Sequence, residues 1–74
     1  MNSPTCLATF HTTHEVIKAE QLVKKRELDV RAVSVPRKYS SDCGIGLRFP
    51  AMLRDRIVDI LSQNNIEPAG VYDE

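Results

Sequence analysis

Val30-Arg31-Ala32-Val33-Ser34-Val35-Pro36 and, beyond Arg37-Lys38-Tyr39-Ser40-Ser41-Asp42-Cys43-Gly44, Ile45-Gly46-Leu47-Arg48-Phe49 form the stretch whose reading decides the fold. The first run is β-branched and alternating, which predicts a strand over 30–35. Pro36 has no N–H to give a ladder, so pairing stops there. The second run puts Ile45, Leu47 and Phe49 on one face and Gly46 and Arg48 on the other, a second strand. Two consecutive strands joined by a polar turn, with no helical pattern between them, make a hairpin.

Each side of the hairpin adds a helix and a strand. Toward the N-terminus, Thr5-Cys6-Leu7-Ala8-Thr9-Phe10 alternates, with Cys6, Ala8 and Phe10 on one face; Cys6 reads as a small core residue. Thr12-Thr13-His14-Glu15 has the spacing of a capping box, with Glu15 expected to reach back to the Thr12 N–H. A helix then runs to about Glu27, burying Val16, Ala19, Leu22 and Val23 and leaving Lys18, Lys24, Lys25 and Ile17 outside. Glu20 and Lys24 are spaced as an i,i+4 pair. Toward the C-terminus, Pro50 suits the first position of a helix carrying Leu53, Ile57, Ile60 and Leu61, closed by Asn64-Asn65. Ile66 to Tyr72 is a fourth strand, with Pro68 arguing for the edge. The order β-α-β-β-α-β predicts an α+β, ferredoxin-like domain: a four-stranded antiparallel sheet with two helices on one face. Its other face, with Gly46 and Arg48, is expected to be open to solvent or to a partner.

The composition fits a single domain over 1–74, near the lower size limit for one apolar core. Ten basic and ten acidic residues cancel, which gives no reason to expect a polyanion partner, and no aromatic-rich run suggests a nucleic-acid platform. The halves differ: residues 1–38 carry seven Lys/Arg against four acids, and 39–74 carry three against six. This asymmetry reads as solvated faces. No stretch approaches the roughly 18–20 apolar residues of a membrane span, and the first residues lack signal-peptide regions. The expected location is therefore the cytoplasm, with both cysteines as thiols.

Chemistry concentrates in the hairpin turn. Cys43 sits in a polar, glycine-flanked stretch, where Ser40, Ser41, Asp42 and Gly44 would shape its surroundings. In the expected topology the first two strands run parallel, so the end of strand one and the hairpin turn share a rim of the sheet. Cys43 should then lie near the start of helix one, close to His11, Thr12, Thr13 and His14. Free N–H groups and partial positive charge at a helix start favour a thiolate. Arg37 would add to that effect and Asp42 would oppose it. A Cys6–Cys43 disulfide is not expected, because Cys6 belongs at the far end of its strand.

With these residues in view, the chain resembles the selenium/sulfur carrier protein-like family. The resemblance rests on Phe10 with Thr12, His14 and Glu20; on Val35-Pro36-Arg37; on Ser40-Ser41 leading to Cys43-Gly44; and on Leu47-Arg48-Phe49-Pro50. It covers nearly everything from Cys6 to Tyr72. It implies a small bacterial cytoplasmic protein that holds activated sulfur or selenium on Cys43 and exchanges it with donor and acceptor proteins, with no cofactor. The Cys-Pro-x-Pro signature of tRNA-thiolation sulfur carriers is absent. A different class of function is a non-enzymatic binding module that uses the open sheet face or the helix ends, with Arg48 as an exposed contact facing the partner. A third is metal binding by His11, His14 and Cys43, although neither Cys-x-x-Cys nor His-x-x-x-His spacing occurs.

Overall fold

The computed structural model of the protein describes residues 4–39 and 43–74. Among these, four strands and two α-helices follow the expected order: β1 (Thr5–Thr9), α1 (Thr13–Lys25), β2 (Arg31–Ser34), β3 (Ile45–Pro50), α2 (Arg54–Gln63) and β4 (Gly70–Asp73). A short 3-10 turn, Ala51–Leu53, leads into α2. The strands form one antiparallel sheet in the order β2-β3-β1-β4, as a ferredoxin-like α+β fold requires.

Alternation along β1 sends side chains to opposite faces of the sheet. Cys6 and Ala8, together with Phe10 just beyond the strand, pack with Val16, Ala19 and Val23 of α1 and Ile57 and Leu61 of α2. Leu47 and Phe49 of β3 complete this layer. Ile45, on the same face but at the strand's start, is 37% exposed. The amphipathic arc of α1 is as its spacing predicts, with Ile17 turned away from the core and Glu20–Lys24 paired at 3.6 Å. Thr12 caps the helix by accepting the Glu15 N–H at 3.2 Å, while the Glu15 carboxylate takes the His11 N–H at 3.1 Å, one residue earlier than expected.

Both helices end in the same way. Glu27 (φ 61°) and Asn65 (φ 60°) adopt the left-handed conformation. The next N–H reaches back to a buried residue, Leu28 to Val23 at 3.3 Å and Ile66 to Leu61 at 2.8 Å. These six-to-one bonds are Schellman closures, and the residues that close them, Leu28 and Ile66, both join the core layer.

Two boundaries differ from the sequence reading. Pro50 ends β3 opposite Thr5 and does not start a helix. At the last position of a strand its missing N–H removes no ladder bond, and the 3-10 turn follows it. β4 starts only at Gly70, opposite Thr9, so Pro68 precedes it. Ile66 is used instead to close α2 and fill the core.

A larger difference lies on the face away from the helices. Leu7 and Thr9 are completely buried there, and Gly46 is also buried. Among the described residues, Val35 and Tyr39 of the β2–β3 connection and Tyr72 of β4 lie on this face. A Cβ on Gly46 would lie 2.6 Å from the Ala8 carbonyl oxygen and 3.1 Å from Val35 Cγ2. Tyr72, opposite Leu7 on β4, lies back over Gly70, where a Cβ would meet its ring at 2.7–3.0 Å. Tyr39 stacks on Tyr72 with ring centroids 4.4 Å apart and planes 21° apart. Lys38 lies 5.1 Å from the Tyr39 centroid on its way into the connection. The expected open face is therefore roofed by part of the segment that leads to Cys43.

Candidate functional site

The site is built where β1 ends and β3 begins. Gly44 precedes β3 with φ +77°, a conformation that suits glycine. The Val35 N–H donates to the Gly44 carbonyl at 2.9 Å, closing the neck of the connection. At its other end, Pro36 to Tyr39 form a turn, with the Tyr39 N–H donating to the Pro36 carbonyl at 3.0 Å. Cys43 directly precedes Gly44 at the entry to β3.

The Cys43 sulfur lies 3.2 Å from the Ile45 carbonyl oxygen and 3.6 Å from that of Phe10. As a thiol it donates to one of these carbonyls at a time. The residue is half-buried, with one side against the apolar core, and its thiol is free. The Phe10 contact fixes the rim: Cys43 is at the end of β1, where the chain turns through His11 and Thr12 into α1. This is the shared edge that parallel β1 and β2 predict.

The remaining sequence candidates divide between that rim and other places. Thr12 spends its hydroxyl on the helix cap. His14 is exposed in the first turn of α1. His11 lines an open hollow with Glu15, Ser62, Asn65 and Glu67, between the start of α1 and the end of α2. Arg37 is exposed in the Pro36–Tyr39 turn. Ser40, Ser41 and Asp42 lie outside the described residues. Arg48, near the opposite rim, donates to both Glu74 carboxylate oxygens at 2.8 and 3.2 Å, and that pairing favours its charged form. Among the described residues, no three His, Cys, Asp or Glu side chains come together as a metal site, so His11, His14 and Cys43 do not form one.

Cys6 has a contrasting environment. It is completely buried and donates to Asp73 Oδ1 at 3.2 Å, and Arg54 reaches the same carboxylate at 3.4 Å. Burial pushes its thiol above the usual ionisation range, and the Asp73 carboxylate pushes it further. The two sulfurs thus occupy opposite ends of the sheet, one sealed and one at a surface rim.

Sequence reasoning missed Tyr39, Tyr72 and the room made for them. The available signal was Gly70 two residues before Tyr72. On a strand, that spacing puts the bare position and the ring on one face.

These features define a small α+β domain of ferredoxin-like topology with a half-buried cysteine on the rim where the first helix starts. A family model described as "Putative Se/S carrier protein-like" matches residues 5–73. The chain belongs to that family. No curated protein matches. No solved structure matches either. No helix among the described residues is long and apolar enough to cross a membrane.

Proposed function

We propose that the protein is a carrier of activated sulfur or selenium, loaded on Cys43 and passed to a partner protein. Family membership supports the general role. The observation that carries the assignment to Cys43 is its position: a free thiol at the rim, half-buried, 3.6 Å from the carbonyl that leads into α1. The other described cysteine is enclosed and held by Asp73, and its raised ionisation suits a structural thiol.

The chemistry is thiol exchange. Cys43 thiolate attacks the outer atom of a donor persulfide, R–S–SH, or its selenium counterpart R–S–SeH. A bond forms from Cys43 sulfur to that atom while the donor S–S or S–Se bond breaks. The donor leaves as the thiolate R–S⁻, and the outer atom keeps its proton or releases it to water. Transfer to the acceptor repeats the exchange in the opposite sense. The sulfur must swing away from the Phe10 and Ile45 carbonyls to attack, because an anion gains nothing from two acceptors. The start of α1, with His11 and His14, brings polar groups to this rim. Ser40, Ser41, Asp42, Gly44 and Arg37 belong to the same reading as the surroundings of the loaded sulfur. A cytoplasmic location and protein donors and acceptors follow from it.

The sheet-face form of the binding-module alternative needs an open face with Arg48 turned to a partner. That reading has less to stand on, since Val35, Tyr39 and Tyr72 cover part of the face and Arg48 is paired with Glu74.

The test is an intact-mass measurement after incubation with a persulfide donor, R–S–SH, or its selenium counterpart, R–S–SeH. Wild type gains one sulfur or selenium that a reductant removes, and Cys43→Ser gains none. An equal adduct on Cys43→Ser, or no adduct on either, rejects the assignment.

A further inference from the structure

We infer that the edge strand β2 is the contact through which two copies of this chain pair, continuing the sheet across a two-fold axis at Val33. The Val35 N–H points into the sheet, at the Gly44 carbonyl. Main-chain groups alternate between the two sides of a strand, so Arg31 and Val33 also bond inward toward β3. Ala32 and Ser34 then turn their N–H and C=O groups outward. β2 is an edge of the sheet, and both Ala32 and Ser34 are exposed.

A second copy suits this edge because the edge is its own complement. An antiparallel two-fold at Val33 sets Ala32 opposite the second copy's Ser34, and Ser34 opposite its Ala32. Each of these pairs exchanges both of its N–H···O bonds, so the outward groups are satisfied. Val33, half-buried, meets its own equivalent at the close spacing of a non-hydrogen-bonded pair. The two Arg31 side chains start about 13 Å apart, beyond the screening length of physiological salt. The other edge is less suited. β4 closes on Asp73 with Glu74 beside it and follows Pro68, features that discourage pairing.

The helical layer points to the same axis. Val33 lies opposite Gly46, and Gly46 opposite Thr9, so Val33 is level with the end of β1. α1 begins four positions after Thr9 and runs back over β3 and β2, which brings its second turn level with Val33. Glu15 and Arg26 line hollows shared with α2, so Ile17, Glu20 and Lys24 occupy the other flank, toward the β2 edge. Ile17 is 51% exposed there. In the joined sheet the two α1 helices run antiparallel about 10 Å apart, with Ile17 facing Ile17. Glu20 and Lys24 already pair at 3.6 Å, so this flank brings no net charge to its copy. The two-fold sends the two Cys43 rims to opposite ends of the assembly. The pairing goes beyond the carrier reading and does not depend on it.

The test is sedimentation of wild type over a roughly hundredfold range of concentration, with amide hydrogen exchange at both ends of the range. The mass should pass from 8.3 kDa to twice that value. Exchange at Ala32 and Ser34 should slow in step, while Val33, already bonded within the sheet, should change less. Ile17→Lys, at an exposed helix position, should raise the dissociation constant roughly ten- to hundredfold with an unchanged circular dichroism spectrum. Ala32→Pro removes one outward N–H and no bond inside the sheet, and should leave a folded monomer. Should that variant not fold, Ile17→Lys and the exchange rates decide. A single 8.3 kDa species at every concentration overturns the pairing. So does a dimer whose Ala32 and Ser34 amides exchange freely, or one that Ile17→Lys does not weaken.

Discussion

Cys6 and Cys43 begin with the same side chain, and their neighbours divide them. Cys6 faces the helices among apolar groups, donates to a carboxylate and resists ionisation. Its ordinary value is 9.0, and the folded protein holds the proton above that pH while the unfolded chain releases it. Folding therefore binds a proton in the alkaline range, and stability falls as pH rises through it. Below the ordinary thiol range this contribution is fully present. Urea unfolding of wild type from about pH 8 to about pH 10 should lose more free energy than that of Cys6→Ala, which lacks the titrating group. Parallel losses in the two proteins would show that Cys6 carries no such linkage.

At the scale of elements, the helix ends have measurable consequences. Glu27 closes α1 with φ 61° and is exposed. A side chain in the left-handed region costs roughly 1–2 kcal/mol, only part of which glycine gives back through its unfolded-state freedom. Glu27→Gly should stabilise the domain by about 0.5–1 kcal/mol, visible as a higher urea midpoint at unchanged slope. A lower midpoint would mean that Glu27 makes a contact worth more than its strain.

Elements of this kind were legible where local chemistry and periodicity agree. The capping spacing from Thr12 to Glu15, the arc Val16-Ala19-Val23 and the alternation of Cys6 and Ala8 all found their predicted places. The shared rim of Cys43 and Phe10 was legible too, because topology alone sets it. Less legible was anything carried by long-range fit. Pro50 looked like a helix opener because its strand role depends on Thr5, forty-five positions earlier. The covered face depends on Gly46, Gly70 and two tyrosines that are far apart in the sequence and meet only once the sheet exists. Periodicity describes which side of an element faces inward, but it does not say what a connection does after it leaves the strand.

For the whole molecule, the two faces of the sheet are closed by different means. Helices α1 and α2 supply a continuous apolar layer on one side, whereas among the described residues Val35 and the Tyr39–Tyr72 ring pair lie on the other. β4 joins the two arrangements. Asp73 meets Cys6 and Arg54 on the helical side, while Tyr72 and Glu74 hold Tyr39 and Arg48 on the opposite side. Pairing Cys6 with Asp73 spans 67 positions, so β4 adds on through contacts of high loop-closure cost.

That placement of Tyr72 gives refolding an order. Until β4 has zipped onto β1, Tyr39 has no ring to rest on. The near-ultraviolet circular dichroism of the stacked tyrosines should therefore arrive in the last phase of refolding, after the core has collapsed. Arrival together with the core would mean that β4 pairs as the core forms.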